Sequence, residues 1–108
     1  FRDFTYIDDI VEAIYRLLKK SPKGKPPYDI FNIGGGKDIY LKNLVKLIEK
    51  NLNKKSKIKF IEKQMGDVHK TKASKNKLYK KINFYPKTDI ETGVKNFIEW
   101  FKEYHDIR

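Results

Sequence analysis

The apolar positions of this chain alternate between two periods. Phe4-Thr5-Tyr6-Ile7 repeats at every second residue and predicts a short strand with Arg2 at its edge. The period lengthens over Ile10, Val11, Ala13, Ile14, Leu17 and Leu18, predicting a helix from about Ile10 to Lys20 that Ser21-Pro22-Lys23-Gly24 ends. Asp8 or Asp9 is placed to cap its start. Tyr28–Ile33 predicts a second strand with Phe31 and Ile33 on one side, and Gly34-Gly35-Gly36 follows. Leu41, Leu44, Val45, Ile48 and Leu52 carry a second helix, and Lys57–Ile61 alternates as a third strand. Ser74 is placed to cap a short helix with Leu78 and Ile82 inward, ending near Asn83 before Pro86. Thr88-Asp89-Ile90-Glu91 reads as a capping box, followed by a core face of Ile90, Val94, Phe97, Ile98 and Phe101 with Trp100 on its flank. The pattern predicts a small α/β domain of three short strands and three to four helices.

Length adds that 1–108 is a single domain with a modest core. Phe1 falls inside the expected extended segment, so the chain reads as a piece of a longer protein. No run approaches the roughly eighteen apolar residues of a membrane helix, and the expectation is a cytoplasmic protein with no membrane partner. There is no cysteine, which excludes disulfides and thiolate metal sites. The net charge is +11, but only Arg2, Arg16 and Arg108 are arginines among 25 cationic residues. Lysine spread over amphipathic helices reads as solvated surface, and the scarcity of arginine argues against a nucleic-acid reader.

Four stretches carry candidate chemistry. Arg2, held by extended backbone before a helix, suits bidentate recognition of a phosphate. In Gln64-Met65-Gly66-Asp67 the glycine permits a tight turn. A carboxylate there can accept from ribose hydroxyls, and the Gln64 amide can donate to a phosphate oxygen. From the residues alone, however, an ordinary surface turn with a solvated aspartate is the favoured reading. Gly34-Gly35-Gly36 after a strand invites a dinucleotide reading, but Ile39 stands where a third glycine is needed and Glu62 falls too late for the ribose acid. Those glycines are expected to serve positive φ angles instead. Tyr15 and Lys19 share the i, i+4 spacing of a tyrosine–lysine catalytic pair, yet lysine is so common here that chance supplies the match, and Tyr15 reads as a partly buried helix residue. Lys70 to Lys87 is the richest lysine cluster; His69 and His105 stand apart, and no metal site is argued.

Arg2-Asp3-Phe4-Thr5-Tyr6-Ile7-Asp8-Asp9-Ile10, Phe31-Asn32-Ile33-Gly34 and Met65-Gly66-Asp67-Val68, in that order, resemble the C-terminal substrate domain of extended short-chain dehydrogenase/reductases. Within the NAD-dependent epimerase/dehydratase family the resemblance is to nucleotide-sugar 4-epimerases, especially those acting on UDP-glucuronate. It implies a substrate domain normally packed on a Rossmann domain absent from this chain. It also implies NAD bound by that missing N-terminal domain, with none expected here, and a complete enzyme open to homodimerisation. The implied reaction removes hydride from C4 of a UDP-hexuronate and returns it to the opposite face, interconverting UDP-glucuronate and UDP-galacturonate. Arg2 would then bind the pyrophosphate, and Asp67 with Gln64 the ribose and phosphate. No catalytic residue lies in the chain, and alone it would be inactive. Gln64 stands where many members have arginine, Tyr40 where a small polar cap is usual, and Lys72 where an aromatic residue is frequent. A sister dehydratase or decarboxylase, or a lysine-rich nucleic-acid module, are the alternatives.

Overall fold

In the computed structural model, residues 1–107 are described, and helices account for their regular structure. The helices are α1 (Ile7–Leu17), α2 (Leu41–Leu52), α3 (Asn76–Ile82) and α4 (Ile90–Tyr104). They pack as two pairs, α1 with α3 and α2 with α4.

Ala13 of α1 is buried against Leu78 and Ile82 of α3, with Leu17, Phe31, Ile33 and Phe84 closing the cluster. Val94 and Ile98 are the buried residues of α4. The remaining aromatic face of that helix, expected as core, is open: Phe97 is 57% and Trp100 51% exposed. Tyr15 is likewise exposed rather than partly buried, with the Lys19 ammonium over its ring.

The three expected strands are not present. Among the described residues the one β pairing is an antiparallel bridge between Arg2 and Ile39. The alternation is nevertheless real in the second segment: Phe31 and Ile33 pack inward, while Tyr28 and Ile30 are 69% and 72% exposed. What is missing is a neighbouring segment to accept and donate ladder hydrogen bonds, without which alternation gives an extended chain and not a sheet. Lys57–Ile61 has neither ladder nor core, and Phe60 is covered only on one face, by the Lys42 ammonium. In the first segment Ile7 is already the first residue of α1.

Caps also differ from expectation. Neither Asp8 nor Asp9 caps α1; both lie in its first turn, where a carboxylate favours the helix dipole. Asp9 instead accepts a hydrogen bond from the Thr88 N–H at 2.9 Å, tying the start of α1 to the entry of α4. The N-cap of α4 is therefore Asp89, one residue later than the capping box implied, and its side chain accepts from Thr92 N at 2.7 Å. Lys75, not Ser74, is the N-cap of α3. Asn53 and Asn83 close α2 and α3 in the left-handed conformation that asparagine tolerates.

The loops are gathered by Asp3. Its Oδ2 accepts from Gly36 N at 3.0 Å and Ala73 N at 2.9 Å, while its own N–H donates to the Thr71 hydroxyl at 3.3 Å. Gly34 must be glycine here, because a Cβ would lie 2.5 Å from that of Ala73. Gly36 adopts φ +73°, as the glycine run suggested.

The accessible surface is 9327 Å² and the radius of gyration 17.3 Å. A compact monomer of this size would have about 6,300 Å² and about 13 Å. Exposed apolar side chains on the helices and on the unpaired extended segments contribute to the difference.

Asp3→Ala strands two part-buried N–H groups and should cost about 2–4 kcal/mol. Urea unfolding of the chain checks this, and an unchanged midpoint would show that Asp3 gathers nothing. A second expectation concerns acid. The Thr92 N–H holds the Asp89 carboxyl below its ordinary pKa. Its stabilisation of α4 is thus complete above the ordinary carboxylate value and lost as pH falls through the lowered one. Asp89→Asn should flatten that part of the acid side of the stability curve; an identical curve would remove the cap from the account.

Candidate functional site

Arg2 and Asp67 lie 65 residues apart in sequence and meet in space. The backbone of Phe1 and Arg2 is held from two sides. Arg2 N and O exchange hydrogen bonds with Ile39 O and N at 3.0 and 2.7 Å. On the other side Phe1 N donates to His69 O at 3.2 Å, and Thr71 N donates to Phe1 O at 3.2 Å. The sequence pattern places Arg2 at a strand edge; in the structure it sits between two segments, which fixes its Cα more firmly.

From that base the guanidinium reaches outward. Nη1 donates to Phe1 O at 2.9 Å, and Nη2 pairs with Asp67 Oδ1 at 3.0 Å. The two side chains are 34% and 55% exposed, so the pair lies on open surface. Asp67 is presented by a turn in which its N–H donates to Gln64 O at 3.2 Å and Gly66 takes φ +83°. Of the three candidate residues, Arg2 and Asp67 are thus brought together. Gln64 contributes its main-chain carbonyl to the turn, and its side chain is exposed.

Asp3 has no role in the sequence pattern, although it adjoins Arg2. It secures Gly36 and Ala73, and so sets the segments on either side of Arg2. In the glycine turn the Gly36 N–H donates to Asp3, and Ala73 fills the space over Gly34.

The lysine cluster is largely engaged with acids and ring faces. Lys70 pairs with Asp38 at 3.1 Å and holds that carboxyl below its ordinary pKa. Lys77 pairs with Asp29 with the same effect, and also lies over the Phe31 ring. Lys75 and Lys87 both lie over the Tyr85 ring, at 4.2 and 4.9 Å. These cations brace loops as well as charging the surface.

Cavities of about 390 and 410 Å³ are lined by neither Arg2, Gln64 nor Asp67. The first is an apolar groove between α2, α4 and the entry to α1, and the second is a polar cleft beside Asp3 and Lys75. The Arg2–Asp67 site is one wall without a facing wall.

An exposed pair of this kind contributes about 0–1 kcal/mol to stability. A double-mutant cycle with Arg2→Gln and Asp67→Asn, followed by urea unfolding, should give a coupling in that range. A much larger value would make the pair a structural brace.

No protein-family profile matches the chain. Relatives do. UDP-glucuronate 4-epimerase 1 of Arabidopsis thaliana is 39% identical over 114 residues, spanning 96% of this chain and 27% of its own. The UDP-glucuronate 4-epimerase of Thermodesulfobacterium geofontis is 39% identical over 103 residues, covering 94% of this chain and 30% of its own. A tyrosine-to-phenylalanine mutant of the UDP-glucuronic acid 4-epimerase of Bacillus cereus has been solved in complex with UDP-4-deoxy-4-fluoro-glucuronic acid and NAD. It superposes with a TM-score of 0.79 at 24% identity, over 94% of this chain and 32% of that one, which establishes a shared fold. The chain spans about a third of the length of the relatives it matches. Over nearly all of its 108 residues, the chain is homologous to UDP-glucuronate 4-epimerases, matching about a third of their length.

Proposed function

We propose that this chain is the UDP-sugar-binding, C-terminal portion of a longer NAD-dependent epimerase that interconverts UDP-glucuronate and UDP-galacturonate. The observation that carries the reading is the meeting of Arg2 with Asp67 at 3.0 Å on one open face. A guanidinium and a carboxylate side by side match a ligand with a diphosphate next to a ribose diol. The cation takes phosphate oxygens in a bidentate fork, and the carboxylate accepts from hydroxyls. Gln64, one turn away, offers an amide donor to the same phosphate.

In this reading NAD is held by the preceding part of the polypeptide, consistent with a glycine turn here whose amide is already used. That part supplies the facing wall, and it covers the apolar surface that α1 and the unpaired extended segments expose. The role of this chain is to bind and orient: it fixes the nucleotide so that the sugar is presented across the interface. Charge supports it, since a diphosphate and a uronate are attracted to a domain of net charge +11.

The experiment is made on the full-length polypeptide that contains these residues. Arg2→Ala should weaken UDP-glucuronate binding about ten- to hundredfold, the value of a charge-assisted bidentate contact, with NAD affinity nearly unchanged. The 108-residue chain alone should bind no NAD in calorimetry and epimerise nothing. An unchanged KM and kcat in Arg2→Ala would remove the nucleotide from this face.

A further inference from the structure

Resting on that reading, we infer that Arg2 is also the positioning residue that holds Asp67 for ribose recognition, so that phosphate binding and ribose binding are coupled through one guanidinium. The two partners are held very differently. Arg2 is anchored through four main-chain hydrogen bonds made by Phe1 and itself, and by its own Nη1 bond to Phe1 O. Asp67 belongs to a segment exposed from Lys54 to Lys70. Met65 beside it touches nothing, at 103% exposure, and the space around Gly66 is empty to 4 Å.

Among the described residues, the side-chain bond that joins Glu62–Val68 to the rest of the chain is the one from Asp67 to Arg2. Beyond the turn the next ties are the main-chain bond from Phe1 N to His69 O and the pair Lys70–Asp38. Arg2 is therefore the fixed member and Asp67 the one being placed. Without Arg2, a glycine turn with no packing lets the carboxylate wander, and the entropy of fixing it falls on the ligand.

The pair leaves room for both functions of the guanidinium. It engages one guanidinium nitrogen, Nη2, and one carboxylate oxygen, Oδ1. A guanidinium has about five N–H donors and a carboxylate about four acceptor positions, so neither is saturated by the pair. A pyrophosphate oxygen arriving at Arg2 and a diol arriving at Asp67 meet groups whose separation their own contact already fixes. This differs from a simple phosphate contact, because it makes Arg2 a determinant of selectivity for the ribose, which it need not touch.

The test compares UDP with its 2′,3′-dideoxyribose analogue by calorimetry, on the full-length polypeptide as wild type, Arg2→Gln, Asp67→Asn and the double variant. The wild type should prefer UDP by about tenfold or more, and Asp67→Asn should abolish most of that preference. Arg2→Gln should weaken both ligands and also collapse the preference toward unity, and the double variant should lose no further preference. Hydrogen exchange at the Asp67 amide should accelerate in Arg2→Gln, a change that loss of a phosphate contact alone does not produce. If Arg2→Gln weakens both ligands equally and keeps the wild-type preference, Arg2 touches phosphate only; the positioning role falls and the nucleotide site stands. If the wild type shows no preference, Asp67 does not meet the ribose, and the site itself falls with the coupling.

Discussion

One carboxylate oxygen determines how the loops of this chain converge. Asp3 Oδ2 accepts N–H groups from Gly36 and Ala73, which lie 33 and 70 residues further along. Few other contacts could join these segments, because they contribute almost no apolar surface: a glycine run on one side, Thr71-Lys72-Ala73-Ser74 on the other. A polar hub is then the available device, since two backbone donors at a part-buried point need an acceptor in any case. The cost is visible in Asp3 Oδ1, which is buried without a partner among the described residues. The glycine at position 34 follows from the same hub, because the close approach that lets Asp3 reach both amides leaves no space for a Cβ.

The consequence for the site is geometric. Arg2 precedes Asp3, so fixing Asp3 fixes the peptide from which the guanidinium projects. The bridge to Ile39 and the bonds between Phe1 and residues 69 and 71 are the two flanks of that arrangement. Arg2 is built on backbone held by hydrogen bonds to two separate segments. Its partner Asp67 is built on an exposed turn.

How far this is legible from residues depends on the range of the interaction. The apolar period of the second helix begins and ends at its observed limits, Leu41 and Leu52, because that period is local. The end of the third, at Asn83, is local in the same way. The caps of α1 and α4 are not, and for one shared reason. A side-chain oxygen near a helix start has rivals: Asp9 is drawn to Thr88 N, 79 residues away, and the cap of α4 falls to Asp89. The strands fail for a related reason, since a period of two marks which side of a segment is buried and says nothing of whether a neighbour exists. Phe31 and Ile33 face inward as the alternation predicts, with no ladder beside them. Arg2 and Asp67 are each legible as chemistry; that they touch is not, because nothing local relates residues 65 apart.

Energetics give the open surface its meaning. About 3,000 Å² more is exposed than a compact chain of this mass would show, and among the described residues the buried apolar core is Ala13, Leu78, Ile82, Val94 and Ile98. Ile7, Val11, Ile14 and Leu18 leave an apolar stripe along α1 and just beyond it, each between 47% and 77% exposed. At about 25 cal/mol per Å², each ~100 Å² of apolar surface buried there would contribute about 2.5 kcal/mol before entropic costs. The same surface that makes the chain marginal by itself would make association with the rest of a longer polypeptide strongly favourable. The site follows this logic too. An ion pair left 34% and 55% exposed is weak in water, but each of its groups gains strength as a facing wall excludes solvent. Closing the apolar surface and sharpening the polar pair would be one event, and that coupling is a physical argument for the proposed division of the site between two parts of a protein.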